Sequence, residues 1–317
     1  MRVGPATPLP LLIATAAALE NGLSRTPVMG YNTWNDMRCS DVSASAVEGI
    51  ADLMLSLGLV ARGYQYLNVD DCWAVRLSRE GQLVEDPSAF PDGLGALVDR
   101  VHSRGLRFGI YADRGYRTCA FRPGSIGREA VHAAQFAAWG VDYLKYDSCW
   151  ASGVHDVAFA QYALMRDALN ATGRPMVYSL CGWNAWYAPE GAKLAHSWRI
   201  APDCDEWANV YVAIRTNERL ARYASPGGFN DPDMLVGSNP SAHAHLTPAQ
   251  ARNPGVTRGG QTTAASPTQC DRSARPTPRA GPGSILDVGG DGGAAAHRLA
   301  SARHAEDGPR DVPERGG

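Results

Sequence analysis

The sequence of 317 residues is long enough for one large domain or two ordinary ones, and its 44% hydrophobic and 20% charged residues are typical of a globular protein. The formal net charge of −2 gives no reason to expect a nucleic acid or an anionic membrane as a partner. Because the chain contains no apolar run of about 18 residues, an ordinary membrane-spanning helix is also excluded.

The N-terminus has some features of a secretory signal. An apolar stretch at residues 9–18 follows Arg2, and the alanine triplet at residues 16–18 suits signal cleavage. We therefore predict a signal peptide or leader over residues 1–20 and a secreted or extracytoplasmic protein. A disordered leader and a wrongly assigned start codon are the alternatives.

From residue 27 onward, short strand-like runs alternate with longer helix-like runs, which is typical of parallel βα units. Strands are predicted at Val28–Thr33, Gln65–Val69, Leu106–Tyr111, Tyr143–Tyr146, Pro175–Leu180, Leu194–Trp198 and near Gly228. Helical spacing of apolar residues predicts helices at Ser43–Gly58, Leu94–Arg104, Gly127–Trp139, Val154–Thr172 and Glu206–Ala221. Glycines stand where four of these helices should end, at positions 58, 105, 140 and 173.

Several predicted strands end in charged residues. These are Asp70 and Asp71 after the second strand, Asp113 after the third, Lys145 and Asp147 after the fourth, and Arg199 and Asp203 after the sixth. Charged groups at the carboxyl ends of successive strands build the active site of a (β/α)8 barrel, whereas an open doubly wound sheet gathers its ligand groups at one switch point. We therefore predict an α/β fold of the (β/α)8 TIM barrel class.

The chain changes character after Phe229. No aromatic residue follows it, and residues 253–317 are rich in Gly, Pro, Ala and Arg. Such a segment buries too little apolar surface to offset the entropy lost on ordering. We predict a disordered, low-complexity tail over residues 253–317.

Cysteines occur at positions 39, 72, 119, 149, 181, 204 and 270. They contain no Cys-x-x-Cys pair, so neither a zinc site nor a redox site is predicted. The first six could form three disulfides, which together with the candidate signal favours an oxidising compartment. Buried free thiols in a cytosolic enzyme are the alternative.

Asp70 and Asp71 form a vicinal carboxylate pair. Such a pair can accept hydrogen bonds from two neighbouring sugar hydroxyls, or it can ligate a metal. A solvated turn or a helix cap is the simpler interpretation, but the position after an apolar strand and before Cys72 and Trp73 favours a functional role.

Lys145 and Asp147 are two residues apart on one strand, so both side chains point the same way, into the barrel mouth. A neighbouring ammonium keeps a carboxylate ionised, which suits a nucleophile, although a structural Lys–Asp pair is the alternative.

Asp203 lies at another strand end, where Arg199 could orient a carboxylate. Two carboxylates from different strands meet the minimum demand of glycoside hydrolysis, in which one attacks the anomeric carbon and the other protonates the leaving oxygen.

Three aromatic residues are candidates for binding a sugar. Trp34, Tyr111 and Trp183 lie at predicted strand ends, where a ring could stack on the apolar C–H face of a sugar. A single tryptophan is more often a core residue, but three aromatic residues at strand ends favour binding. The histidines at 102, 132, 155 and 196 show no ligand spacing, so neither a metal nor another cofactor is predicted.

Taken together, these residues resemble glycoside hydrolase family 27, the melibiase-type α-galactosidases, from about Asn21 to Ser238. The opening strand of the family resembles NGLSRTPVMGYNTWN at residues 21–35. Its second to fourth strands resemble YLNVDDCW at 66–73, GIYAD at 109–113 and DYLKYD at 142–147, and its seventh strand end resembles GGFNDPDML at 227–235.

By position, the resemblance implies that Asp147 is the nucleophile and Asp203 the acid/base of a retaining double displacement. It implies that Asp70 and Asp71 hold the 4-hydroxyl and 6-hydroxyl of galactose. The other implied substrate-binding residues are Trp34, Tyr111, Cys119, Lys145, Trp183, Arg199 and Asp233. The disulfides that it implies are Cys39–Cys72 and Cys119–Cys149, and we add Cys181–Cys204 as a hypothesis because the family's third bridge does not align cleanly.

Two departures from the family pattern stand out. Gly182 stands where many relatives have Glu or Gln, in the loop that contacts the 2-position of the sugar, and a glycine there leaves room for a larger 2-substituent. The likeness ends near Arg252, before an apolar helix, an eighth strand and a C-terminal β-domain of the family. We therefore expect a catalytic domain over residues 21–252 whose barrel is incomplete at its C-terminal end, through truncation or a frameshift.

The sequence thus predicts a secreted, retaining exo-glycosidase that removes terminal α-D-galactosyl residues from oligosaccharides or polysaccharides. An α-N-acetylgalactosaminidase and a β-L-arabinopyranosidase of the same family are alternatives. A further alternative is an inactive, truncated remnant, because the fold needs eight strands.

Overall fold

The computed structural model describes residues 21–204 and 207–234. The predicted leader (1–20), the predicted tail (253–317) and the segment expected to lack the eighth strand all lie outside these residues. The described strands are β1 (Gly30–Asn32), β2 (Tyr66–Val69), β3 (Ala74–Leu77), β4 (Leu83–Glu85), β5 (Arg107–Asp113), β6 (Tyr143–Asp147), β7 (Val177–Cys181), β8 (Ser197–Arg199) and β9 (Phe229–Asp231). The α-helices are α1 (Trp34–Met37), α2 (Ala44–Ser56), α3 (Gly93–His102), α4 (Glu129–Trp139), α5 (His155–Ala171), α6 (Ala188–Leu194) and α7 (Trp207–Leu220).

Seven of the strands form one parallel sheet in the order β1-β2-β5-β6-β7-β8-β9. Each strand lies beside the next one along the chain, and helices connect them, which is the arrangement of a (β/α)8 barrel. All seven predicted strands and all five predicted helices are confirmed, with ends that differ by a few residues. The four glycines expected at helix ends all adopt positive φ.

The central strands are apolar because both of their faces are covered. Every residue of β7 is buried, and six of the seven residues of β5 are buried. Parallel strands that are covered on both faces read as nearly continuous apolar runs. The helices cover the outer face, where Phe136 of α4 and Tyr162 and Met165 of α5 join the core.

Three features of the described chain were not predicted from the sequence, namely the short helix α1, the hairpin β3–β4 and helix α6. The antiparallel hairpin β3–β4 lies outside the barrel sheet and is held by α4, because the side-chain amide of Gln135 bonds both the N–H and the carbonyl of Leu83, at 3.0 and 2.7 Å. Helix α6 ends at Leu194, where the sixth strand was predicted to begin. Leu194 and Ala195 are buried, so they resembled the start of a strand.

The four histidines considered above have hydrogen-bonding or stacking partners within the fold. His132 contacts the hairpin through the carbonyl of Gly81 at 3.0 Å, and His102 pairs with Asp142 at 2.7 Å. His196 accepts a hydrogen bond from the backbone of Tyr178, and His155 stacks on Trp186. Across the described part of the chain, no helix has both the length and the apolar character needed to cross a membrane.

Candidate active site

The strand register brings the predicted site residues to one edge of the sheet. Tyr111 of β5 is opposite Lys145 of β6, and Asp147 is opposite Cys181 of β7. One pocket at this edge encloses about 360 Å³, including its open mouth. All eleven residues predicted for the site line it, together with Cys181 and Met234; the eleven are Trp34, Asp70, Asp71, Tyr111, Cys119, Lys145, Asp147, Trp183, Arg199, Asp203 and Asp233.

Lys145 pairs with Asp70 across the pocket. Its Nζ lies 2.9 Å from Oδ2 of Asp70, and the same carboxylate oxygen accepts a hydrogen bond from the amide of Asn32 at 2.7 Å. Burial by itself would lower the pKa of Lys145, but the charge of Asp70, aided by that of Asp147, raises this pKa well above its usual value. The ammonium is therefore a fixed positive charge in the pocket wall.

Asp71 is tied to the loop that follows β5. Its Oδ2 accepts a hydrogen bond from the N–H of Ala120 at 2.9 Å, and its Oδ1 accepts one from the N–H of Cys72 at 2.7 Å. Burial raises the pKa of Asp71 to about 6, although these hydrogen bonds oppose the shift. The two neighbouring aspartates thus have different partners, although both line the pocket. Asp70 forms an ion pair with Lys145, and Asp71 accepts a hydrogen bond from the loop that follows β5.

Asp147 lines the pocket and is only 4% exposed. Its Oδ1 accepts a hydrogen bond from the N–H of Ser148 at 2.8 Å. Burial raises its pKa to about 6; Lys145 opposes this shift, and the charge of Asp203 adds to it. The expectation that Lys145 keeps Asp147 ionised is therefore only half correct, because the lysine acts in that direction but burial outweighs it. The carboxyl group is still mostly ionised at pH 7.

Arg199 holds two carboxylates. Its Nη2 donates to Oδ1 of Asp203 at 2.8 Å, and its Nη1 lies 2.9 Å from Oδ1 of Asp233 in an ion pair without good hydrogen-bond geometry. The guanidinium is buried, whereas the side chain of Asp203 is 22% exposed. Asp203 is thus oriented by a fixed cation and remains accessible to water.

Asp113, which ends β5, does not line the pocket. It is fully buried and accepts hydrogen bonds from the N–H groups of Gly115 and Cys149, at 2.7 and 2.8 Å. Burial and the charge of Asp147 raise its pKa well above the usual value. This carboxylate at the end of a strand is therefore not part of the pocket wall, because backbone N–H groups of two loops hold its side chain.

Two disulfides flank the pocket. Cys39–Cys72 and Cys119–Cys149 are both formed, with Cα atoms 5.2 and 5.1 Å apart. Among the described residues, one group of Cys and acidic side chains is close enough to bind a metal, and it consists of Asp113, Cys119, Asp147 and Cys149. Since its two sulfurs are joined in a disulfide, neither is available as a thiolate ligand.

The hypothesis of a third disulfide, Cys181–Cys204, is wrong. Both residues are buried free thiols. The sulfur of Cys181 accepts from Arg199 Nη1 at 3.5 Å, while that of Cys204 donates to the carbonyl of Pro232 at 3.6 Å. The two sulfurs therefore have different partners.

The premise of extra room at Gly182 is also wrong. A Cβ atom at this position would lie 1.9 Å from Cε2 of Tyr187, whose side chain is buried. The space that a glycine leaves is therefore already filled by the protein. Trp183 follows with φ of +56°, an uncommon backbone conformation for a bulky residue, and its side chain lines the pocket.

Sequence reasoning missed three contributors to the site. Cys181 and Met234 line the pocket, and Asn32 connects two predicted residues by donating to Asp70 and accepting from the N–H of Trp34 at 2.8 Å. Each lies at or just beyond the end of a barrel strand. Their position at the strand ends was the available signal, but an uncharged side chain at a strand end does not by itself indicate a functional residue.

Comparison with known proteins assigns the chain to a family. A family model, Melibiase_2, described as Alpha galactosidase A, matches residues 26–250, which is more than half of the chain. The chain belongs to the melibiase family. Within this family it is 48% identical over 223 residues to Alpha-galactosidase 3 of Arabidopsis thaliana, a match that covers 68% of this chain and 50% of the relative. It is 46% identical to the α-galactosidase of Cyamopsis tetragonoloba, over 69% of this chain and 54% of the relative.

Solved structures of melibiase relatives have the same fold. The α-galactosidase of Saccharomyces cerevisiae is 35% identical with a TM-score of 0.65, and the match covers 70% of this chain and 56% of that chain. The α-galactosidase I of Mortierella vinacea is 36% identical with a TM-score of 0.66, covering 70% and 62%. The chain thus spans between 50% and 62% of the length of these relatives.

Proposed function

We propose that this melibiase-family chain carries the catalytic residues of a retaining exo-α-galactosidase, with Asp147 as nucleophile and Asp203 as acid/base. The observation that supports this most strongly is the contrast between two carboxylates of one pocket. Asp147 is buried, whereas Asp203 is partly exposed and oriented by Arg199. A buried carboxylate suits attack on carbon, and an accessible one suits proton exchange with water.

The reaction proceeds in two steps. In the first, a carboxylate oxygen of Asp147 bonds to the anomeric carbon while the glycosidic C–O bond breaks, and protonated Asp203 gives its proton to the leaving oxygen. In the second, Asp203 takes a proton from water, and the water oxygen displaces Asp147 from the anomeric carbon. Two inversions leave the product with the configuration of the substrate.

The remaining pocket residues supply recognition of a sugar. The carboxylates of Asp70 and Asp71 can accept hydrogen bonds from sugar hydroxyls, and the Lys145 ammonium can donate to them. Trp34 and Tyr111 offer ring surfaces beside these polar groups. A relative from Saccharomyces cerevisiae was crystallised with raffinose, a galactoside, which supports this substrate class.

Hydrolysis of a nitrophenyl α-galactoside by the full chain tests the proposal. Nuclear magnetic resonance should detect α-galactose as the first product. We expect Asp147→Asn to lower kcat on the order of 10³-fold or more with the fold intact by circular dichroism. Asp167→Asn is the matched control, because Asp167 lies on the exposed side of α5. No turnover of any glycoside by well-folded protein would overturn the proposal and would favour an inactive remnant.

Specificity is tested with three substrates. The values of kcat/KM for an α-galactoside, an α-N-acetylgalactosaminide and a β-L-arabinopyranoside give the preference directly. We expect the α-galactoside to be preferred, because relatives at 46–48% identity are named α-galactosidases. A higher value for either other substrate would overturn this assignment while leaving the mechanism intact.

We also propose an extracytoplasmic location and a catalytic domain over residues 21–252. Disulfides persist mainly in oxidising compartments, and two are present here. Expression with the native N-terminus should release a mature protein that begins near residue 21, as N-terminal sequencing would detect. Retention of residues 1–20 on a cytosolic product would contradict this location.

A further inference from the structure

Two aromatic side chains are exposed beside the pocket. Phe121 and Trp150 have exposed fractions of 40% and 49%, and their ring centroids lie 5.1 Å apart with a 54° angle between the planes. Phe121 lies in the loop after β5, and Trp150 lies in the loop after β6. Rings that pack in a core are hidden from water, so this pair offers a free apolar surface.

The Cys119–Cys149 disulfide connects this pair to the catalytic pocket. Cys119 lines the pocket, and its sulfur lies 3.6 Å from Oδ2 of Asp147. Trp150 directly follows Cys149, and Phe121 is two residues beyond Cys119. The ring pair is therefore attached to a disulfide that borders the pocket, although neither ring is among the residues that line it.

The backbone holds both rings in unusual positions. Phe121 has φ of +63° and Trp150 has φ of +54°, a region that bulky residues rarely adopt. Strain of this kind persists where surrounding structure enforces it, and it is concentrated at functional sites.

The two loops interlock and thereby enforce these conformations. A Cβ atom at Gly115 would lie 2.0 Å from the carbonyl oxygen of Cys149 and 2.7 Å from the carbonyl carbon of Trp150. The turn that carries Phe121 is closed by a hydrogen bond from the N–H of Thr118 to the carbonyl of Arg122 at 2.9 Å. A surface held rigidly in advance loses little entropy on binding.

We propose that Phe121 and Trp150 form a stacking platform for the leaving-group sugar, the pyranose ring attached to the galactosyl unit. This inference rests on the proposed function. The anomeric carbon must lie at Asp147, so the group bonded to it leaves the pocket at its rim, where the platform stands. The two rings are adjacent, and an exposed ring face of either one can stack on the C–H face of a pyranose. The platform is thus expected to favour oligosaccharides over galactosides with small leaving groups.

The test compares two substrates that differ in the second ring. Raffinose carries a sugar at this position, whereas methyl α-galactoside carries only a methyl group. Trp150→Asn and Phe121→Asn remove the rings, and asparagine tolerates positive φ, so the loops retain their conformation. We expect each variant to lower kcat/KM for raffinose about two- to tenfold, mainly through KM, in line with the strength of a ring contact. Methyl α-galactoside should be hydrolysed at an unchanged rate.

Tyr116→Asn is the matched control. Tyr116 lies in the same loop and is 74% exposed, but it is not part of the ring pair. It should leave both substrates unaffected. Equal losses on the two substrates, no loss on either, or a loss of self-association instead would overturn the platform while the proposed function stands. Failure of the unmodified chain to hydrolyse either substrate would overturn the proposed function itself and the platform with it.

Discussion

Lys145 donates to Asp70, which directly follows β2, at 2.9 Å, although Asp147 is only two residues away on its own strand. Because Asp70 is buried, its negative charge depends on this ammonium and on the amide of Asn32. The pair therefore connects β2 with β6 at the pocket edge. The charge of Lys145 acts on Asp147 only at longer range, without a hydrogen bond between them. The carboxylate oxygens of Asp147 are therefore not occupied by the lysine.

We expect Lys145→Met to destabilise the protein by roughly 3 kcal/mol, because it leaves the carboxylate of Asp70 buried and unpaired. Adding Asp70→Asn should restore most of the lost free energy of unfolding, since an amide needs no counter-charge. Urea denaturation of the two single variants and the double variant at pH 7 measures the coupling. Strictly additive losses would contradict the pairing.

Asp147→Asn should stabilise the fold at neutral pH while abolishing the proposed activity. The pKa of Asp147 is raised to about 6 from 3.8, chiefly by burial, so the folded state binds more protons than the unfolded state between these values. Stability contributed by this group is therefore lost as the pH rises from 3.8 through 6. An amide does not ionise, so the variant should gain on the order of 1–3 kcal/mol at pH 7.

Thermal unfolding at pH 4 and pH 7 measures this difference. The gain should be much smaller at pH 4, because the folded carboxyl group is then almost fully protonated and the unfolded one is only about half ionised. Asp167→Asn, the exposed control, should show no comparable pH-dependent gain. A variant less stable than the wild type at pH 7 would contradict the raised pKa of Asp147.

Gly182→Ala should destabilise the protein by roughly 1–3 kcal/mol, because its Cβ would overlap the ring of Tyr187. That ring stacks on Trp186 at 3.8 Å and cannot move freely. Adding Tyr187→Leu should reduce the penalty by opening space. Gly153→Ala, which meets no atom within 4 Å, is the control for removing a glycine. Equal free energies of unfolding for both alanine variants would contradict the close approach.

Cys181 and Cys204 should react as free thiols without prior reduction. Both are buried, so we expect alkylation only after unfolding in denaturant, with peptide mass spectrometry locating the label. The peptides of Cys119 and Cys149 should carry no label unless a reductant is added. Protection of Cys181 and Cys204 in the unfolded, unreduced chain would indicate the disulfide that the structure lacks.

Much of the fold was readable from local patterns. Alternation of apolar runs and helical spacing located the seven barrel strands, because parallel strands and their covering helices have different hydrophobic periods. Gln135 shows why the hairpin escaped detection: its amide bonds to Leu83 stabilise strands whose own sequence carries little strand signal. Residues 52 positions apart in the sequence, such as Leu83 and Gln135, produce no periodic pattern of apolar residues from which their contact could be predicted.

For the candidate site as well, some features could be predicted from the sequence and others could not. Sequence alone identified eleven of the side chains that line the pocket, partly because position at a strand's carboxyl end is a local property and partly through the family resemblance. Only the tertiary structure decided the partners of these side chains. Lys145 pairs with Asp70, and Asp113 accepts hydrogen bonds from backbone N–H groups. Cys181 and Cys204 are free thiols, and the ring of Tyr187 occupies the space beside Gly182. The physical reason is that partners depend on distances between separate strands and loops, which no run of neighbouring residues encodes.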